Sequence, residues 1–246
     1  MKDQNQILKK PRYGYDAPEI VKRMAMLGSI ALIATLISLF MMSSGYIKFI
    51  VIIILAVTTI SFFLPAITIL LGSMFFKFRE RDWLFDQLAL KGNETVLDVG
   101  CGHGLLLIAA AKRIKSGKAI GIDLWVQADQ ADNSQEATLM NAKVEGVQDK
   151  VEIHSGDMRK LPLADKSIDV VVSSWAIHNI YDEQGREAAL SEIKRVLKPE
   201  GRFAILDIDH APSYREYFIK QGMQDVKLLG PRYTFGNKTY LVLGKV

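Results

Sequence analysis

The stretch VLDVGCGHG, residues 96–104, decides how the rest of the chain is read. A short apolar run, Thr95–Val99, carries Asp98 near its end and passes into Gly100, Gly102 and Gly104. A helix rich in Leu and Ala is expected from Gly104 to Lys115. Glycine lets the backbone turn sharply and lets a ligand approach without meeting a Cβ, and a helix N-terminus favours a negative group. By itself the stretch has two readings, a tight strand-to-helix turn with no ligand or a ligand-binding loop. A dinucleotide fingerprint is G-x-G-x-x-G; here the third glycine comes one residue early and an acid precedes the first. IGIDLW, residues 120–125, then places Asp123 at the end of the next expected strand. A carboxylate there can accept both hydroxyls of a ribose. Alone, Asp123 reads equally well as a surface acid at a strand end; the two features together favour a nucleoside-binding loop.

Outward from this loop, helix and strand patterns alternate. An amphipathic helix is expected over 80–90 and another over 136–145. A helix over Asp182–Leu197 stops before Pro199, and a further one covers Tyr214–Gln221. Strands are expected at Lys118–Leu124, Val151–His154, Ile168–Ser174, Arg202–Ile208, Val226–Leu229 and Thr239–Leu243. Such alternation predicts an α/β fold, a doubly wound, Rossmann-like and mostly parallel sheet of seven strands with helices on both faces.

Ahead of this domain the chain is different. Its 246 residues are 49% hydrophobic and 24% charged, ordinary totals, yet the mean hydropathy is +0.13. The excess lies in residues 24–76, where Lys48 is the only charged side chain. Two spans fit a crossing of a ~30 Å hydrocarbon layer, which takes roughly 20 apolar residues: Met24–Met42, and a second within Ile50–Leu71. Ser43–Tyr46 supplies a polar turn, Lys48 can snorkel to the interface, and Pro65 is expected to kink the second helix or mark its approach to an interface. A secretory signal peptide fits poorly, because the first span begins late and a second follows at once. Lys and Arg crowd residues 1–23 and recur at Lys77, Arg79 and Arg81, whereas the turn holds only Lys48. Both termini are therefore expected on the cytoplasmic side. The expected divisions are a basic juxtamembrane segment (1–23), a transmembrane hairpin in the lipid bilayer (24–76) and a catalytic domain (77–246). One cysteine excludes an internal disulfide and a multi-thiolate metal site, and no metal is expected. A net charge of +4 is mildly basic and suits an anionic membrane surface at least as readily as nucleic acid.

The stretches GDMRKLPLADKSIDVVVSSWAIHNI (156–180) and EIKRVLKPEGRFAILDI (192–208) complete a pattern begun by VLDVGCGHG and GIDLW. Four pieces in this order resemble the class I S-adenosylmethionine-dependent methyltransferases, in particular the branch holding the ubiquinone and menaquinone C-methyltransferases and related lipid methyltransferases. The resemblance covers about residues 83–246 and leaves out the apolar spans. It implies S-adenosyl-L-methionine as cofactor. The loop of Gly100, Cys101, Gly102 and Gly104 would pack against its methionine part, with Asp98 near the amino group. Asp123 would bind the ribose diol with Leu124 beside the adenine, Asp157 would accept from the adenine amino group, and Met158 would pack on the ring. Ser174 and Trp175 would approach the methyl donor.

His178 is the candidate base, with local hydrogen bonding as the competing role. Cys101 reads as a small residue that fits rather than a redox thiol, and His103 as a neighbour of the cofactor. The run 127–137 reads either as shaping the site mouth or as a solvated loop and helix cap. The apolar spans suggest a hydrophobic small-molecule acceptor, such as a quinone precursor, a phospholipid amine or an isoprenoid. The alternatives are a diffusible acceptor or a silent cofactor-binding sensor. Basic residues clustered by the membrane, and the lack of an acceptor tetrapeptide after Asp169, argue against nucleic acid. A fragment of residues 80–246 keeps every residue assigned to the cofactor and is expected to bind it. The segment before the first span is expected either to lie on the membrane and help cover the site, or to be a loose basic tail.

Overall fold

The computed structural model describes residues 10–234 and 237–246; residues 1–9, with Lys2 and Lys9 of the basic segment, lie outside the described residues. Two long apolar helices come first, α1 (Pro18–Met41) and α2 (Tyr46–Leu71), both long and apolar enough to cross a membrane. They pack on each other through small residues. Gly28, Ala31 and Thr35 form one stripe of α1, and Ala66 is buried on α2. A Cβ on Gly28 would stand 3.0 Å from the Phe63 ring, so its absence sets how closely the helices approach. Small residues at such crossings are what helix pairs use when a hydrophobic driving force between them is missing. Large side chains such as Ile33, Ile37, Ile54 and Ile60 point outward and stay exposed. At the turn, the Lys48 ammonium donates to the carbonyls of Leu39 (2.6 Å) and Met42 (3.1 Å), closing the C-terminal end of α1.

Two boundaries differ from the sequence reading. Helix α1 begins at Pro18 rather than Met24, because proline suits the first helical turn. Pro65, expected to kink the second helix or mark its approach to an interface, lies inside α2. The division expected between residues 76 and 77 is no break in the helix: a π-helical turn at Gly72–Phe76 carries α2 directly into α3 (Lys77–Leu88).

The sheet follows as β1 (Thr95–Val99), α4 (Leu105–Arg113), β2 (Lys118–Asp123), α5 (Gln135–Val144), β3 (Val151–Ser155), β4 (Ile168–Ser174), α6 (Glu183–Val196), β5 (Leu197–Asp207), α7 (Ala211–Lys220), β6 (Gln224–Thr234) and β7 (Asn237–Lys245). Strand order is β3-β2-β1-β4-β5-β7-β6, with β7 antiparallel to both neighbours and the remaining pairs parallel. The last two strands are much longer than their apolar cores suggested, since the antiparallel ladder continues through polar residues.

Parallel strands covered on both faces must be apolar on both sides, and their side chains alternate between faces. Val96, Val170, Val172 and Leu206 enter the core shared with Leu84, Phe85 and Leu107 of α3 and α4. Leu97, Val99, Val171 and Phe203 enter the other core, against Leu190 and Ile193 of α6 and Tyr214 and Phe218 of α7. The same alternation turns Asp98, between Leu97 and Val99, toward α4.

Candidate active site

The strand order reverses between β1 and β4, and open α/β sheets bind ligands at the C-terminal strand ends beside that point. Gly100, Gly102 and Gly104 all have positive φ there, 74°, 49° and 84°. A Cβ on Gly100 would fall 2.3 Å from the Ala176 Cβ, and one on Gly102 would fall 2.5 Å from the Gln130 side-chain oxygen. Glycine is thus required twice over, for conformation and for space.

Asp98 lies beneath this loop at 1% exposure. One carboxyl oxygen accepts the Leu107 amide at 2.8 Å; the other has no partner. Burial, opposed by that hydrogen bond and reinforced by Asp123, pushes its pKa up to about 8. A buried, orphaned carboxyl oxygen is costly and fits a cationic donor. The α-ammonium group of S-adenosylmethionine has that chemistry.

Asp123, at the end of β2, is more engaged than the sequence suggested. Its Oδ2 accepts the Gly102 amide (2.8 Å), and its Oδ1 accepts from Trp125 N (2.6 Å) and Asn133 Nδ2 (3.1 Å). A carboxylate has about four acceptor positions, so one remains; taking both ribose hydroxyls requires one of these contacts to open. Asp157 is likewise occupied, forked by the Arg159 guanidinium at 2.6–3.0 Å, which holds its carboxyl below the usual range. Met158 is near the loop, its methyl 3.5 Å from the space a Gly100 Cβ would fill. Leu124 is exposed. The Cys101 thiol is buried, and burial, with Asp98 and Asp123 nearby, pushes its pKa well up, which fits a packing role. His103 is buried too, its Nε2 2.9 Å from the Asp132 carbonyl and its Nδ1 without a partner. Among the described residues no His, Cys, Asp and Glu cluster could hold a metal.

Across the reversal point, Ser174 ends β4. Trp175 follows with φ 52°, its amide donating to Leu206 O at 2.9 Å and its buried indole N–H unpartnered. His178 stands on a single 3₁₀ turn (Ile177–Asn179). Its Nδ1 is 2.6 Å from Oδ1 of Asp207, a fully buried carboxylate at the end of β5. Asp207 also accepts from the Ile208 amide (2.9 Å) and, more weakly, from the His178 amide (3.2 Å) and the Tyr214 hydroxyl (3.4 Å). With its fixed acceptor position, Asp207 selects the tautomer protonated on Nδ1, leaving the lone pair on Nε2. Burial lowers the imidazole pKa, but the hydrogen bond and charge of Asp207, with Asp129 and Asp209 behind it, more than reverse this and raise it.

Sequence reasoning misses Asp207. Its signal is the acid ending FAILD, at the tip of a strand adjacent to β4. Gln130 and Asn141 are missed as well. The run 127–137 does more than shape a mouth or cap a helix, because it packs over the glycine loop. Gln130 Oε1 accepts the His103 amide at 3.0 Å, and Asn141 Nδ2, on the helix that follows, donates to the His103 carbonyl at 3.0 Å. A cavity of about 540 Å³ lies on the far side of this run, between residues 127–132 and the feet of α1 and α2, and none of the glycine loop lines it.

Residues 97–205 match the family described as Methyltransferase domain. The chain is 35% identical over 156 residues to a demethylmenaquinone methyltransferase of Lactobacillus johnsonii, covering 62% of this chain and 58% of that one. It is 33% identical over 122 residues to the demethylmenaquinone methyltransferase of Symbiobacterium thermophilum, covering 49% and 45%. The chain thus spans about half the length of these curated relatives. A SAM-dependent methyltransferase from Aquifex aeolicus superposes with a TM-score of 0.51 at 22% identity, over 67% of this chain and 88% of that one, which speaks to the fold. Residues 97–205 thus match a methyltransferase domain, and the sheet that presents the loop at 96–104 has the fold of a SAM-dependent methyltransferase.

Proposed function

We propose that this chain is a membrane-anchored S-adenosylmethionine-dependent methyltransferase acting on a lipophilic quinone precursor. The observation that carries the reading is the His178–Asp207 pair, held at the C-terminal ends of β4 and β5 across the strand reversal from the orphaned Asp98 carboxyl. The names of the curated relatives support a quinone acceptor, and the two apolar helices support a bilayer location for it.

The cofactor supplies a methyl group on a sulfonium, already electrophilic. The chain's own residues have three tasks. Asp98 receives the ammonium end and, with Asp123 holding the nucleoside, fixes the orientation of the methyl carbon. The glycine loop and residues 127–133 exclude water from it. His178, through Nε2, takes a hydroxyl proton from the reduced acceptor, which moves electron density onto the ring carbon that attacks. With the methyl group carried from sulfur to the ring carbon, the ring hydrogen would leave as a proton to solvent and the His178 imidazolium would return its proton to the ring oxygen, restoring the hydroxyl. Asp207 stabilises the imidazolium meanwhile. Positioning supplies most of such an acceleration, and a placed base contributes typically 10²–10⁴-fold.

The test uses full-length protein in lipid nanodiscs with methyl-labelled S-adenosylmethionine and a reduced, demethylated quinone bearing a prenyl tail. Label should enter the organic phase on the ring carbon. Label found only in water-soluble products, or none above an enzyme-free control, would overturn the acceptor assignment.

A further inference from the structure

The segment just before α1 does not trail away from the domain. Residues 12–17 run antiparallel to 129–131, with Ala17 N donating to Asp129 O and Ala131 N donating to Tyr15 O, each at 3.0 Å. Two side-chain amides join this arm to the glycine loop. Gln130 accepts the His103 amide through Oε1, while its Nε2 donates to the Tyr13 carbonyl (3.2 Å) and to Asp16 Oδ1 (3.0 Å). Asn141 donates through Nδ2 to both the His103 carbonyl and the Arg12 carbonyl (2.7 Å), and accepts the Arg12 amide through Oδ1 (2.8 Å). Both backbone polar groups of His103 are therefore held by residues that also hold the arm. A side-chain amide, with donor and acceptor on one carbon, can make such a two-sided link.

The arm is held in turn by the far end of the hairpin. The buried Lys77 ammonium donates to the carbonyls of Tyr13 and Gly14, each at 2.7 Å. The Ser73 hydroxyl donates to Asp16 Oδ2 at 2.8 Å and accepts the Asp16 amide at 3.0 Å. Ser73 sits in the π-helical turn where α2 becomes α3. Gly14, with φ 67°, lies flat on the His103 ring; a Cβ there would be 2.5 Å from Nδ1.

We infer that Gln130 is a positioning residue for cofactor binding, linking the foot of the apolar hairpin to the glycine loop, so that the hairpin helps build the cofactor site as well as tethering it. The inference rests on the reading that S-adenosylmethionine occupies that loop. His103 is the fourth residue of G-C-G-H-G, and the Gly102 amide just before it is pinned by Asp123. A loop held from both sides binds with less ordering of its backbone.

The experiment uses full-length chain in nanodiscs and reads the S-adenosylmethionine dissociation constant by calorimetry, beside acceptor KM and the melting temperature. Gln130→Glu keeps an acceptor for the His103 amide but sets a second carboxylate against Asp16. It should weaken cofactor binding about tenfold or more, with acceptor KM within twofold. Asp16→Asn in that background offers an amide donor to the introduced carboxylate and should restore cofactor affinity to within about threefold of wild type. Gln130→Glu binding the cofactor within twofold of wild type would overturn the inference. So would a second substitution that restores the melting temperature without restoring cofactor affinity. Wild-type protein that binds no S-adenosylmethionine would remove the cofactor reading itself, and this inference with it.

Discussion

On the proposed reading, Asp98 ties cofactor binding to pH. Its folded pKa of about 8 stands far above the ordinary carboxyl value. The folded, ligand-free chain therefore holds a proton that the unfolded chain has lost, and this group makes stability fall as pH rises from about 4 to about 8. A cationic ligand needs the ionised form. Binding at pH 7 should release close to one proton, visible as a dependence of calorimetric enthalpy on buffer ionisation enthalpy and fading well above pH 8. Asp98→Asn should abolish that release and weaken cofactor binding by about 1.5–3 kcal/mol, the range for a hydrogen bond to a charged group. His178 obeys the opposite logic. Asp207 favours its protonated form, and a base works only when unprotonated, so the acid limb of turnover should lie above the ordinary histidine value of about 6.5. Asp207→Asn should move that limb to lower pH and reduce turnover. His178→Ala should lower turnover ~10²-fold or more with cofactor affinity nearly unchanged. A loss below about fivefold would leave positioning alone as the source of rate.

At the scale of elements, the main revision concerns the 80–246 fragment. Counting motif residues, it should bind cofactor unaided, since all of them lie beyond residue 95. The packing says otherwise. Cutting before residue 80 removes Tyr13, a 7%-exposed side chain edge-on to Phe78, and strips partners from Gln130 and Asn141. It also removes Ser73 and Lys77 and breaks the helix that runs from the π-helical turn into α3. Burying a large side chain stabilises by about 1.5–3 kcal/mol, and each lost hydrogen bond that strands a buried group costs about 1–3 kcal/mol. The fragment should melt well below the full chain and bind S-adenosylmethionine markedly less tightly, as comparative thermal melts and calorimetry would reveal. Equal affinity in the two forms would mean that β1, α4 and residues 126–134 hold the loop without help.

For the whole molecule, charge and hydropathy set the expected orientation. Basic residues flank the hairpin on the side of both chain ends, and Lys48 spends its charge on the α1 carbonyls at the opposite turn. The positive-inside tendency then favours the cytoplasm for the methyltransferase domain. Protease added outside intact cells should spare tags at both ends, whereas a tag inserted at Ser43–Ser44 should be cleaved. Cleavage of the terminal tags with protection of the turn would invert the topology. The close packing of α1 on α2 and the arm's docking on residues 129–131 hold the domain at the foot of the hairpin, as the proposed lipophilic acceptor would require.

The sequence by itself determined the sheet, the apolar hairpin and the glycine loop. Each is written in neighbouring residues: short apolar runs at Val96–Val99 and Ile168–Ser174, a long unbroken apolar run in the hairpin, glycines where φ is positive. Local periodicity suffices for such features because strand and helix side chains repeat at fixed steps. Only the tertiary structure decided what touches the loop and His178. Asp207 meets His178 across 29 residues, Gln130 meets Tyr13 across 117, and Asn141 meets Arg12 across 129. It also decided that Asp123 and Asp157 come to the site with partners already in place. A lone Gln or Asn carries no periodic signal, and its hydrogen bonds exist only after chain segments far apart in sequence have packed together.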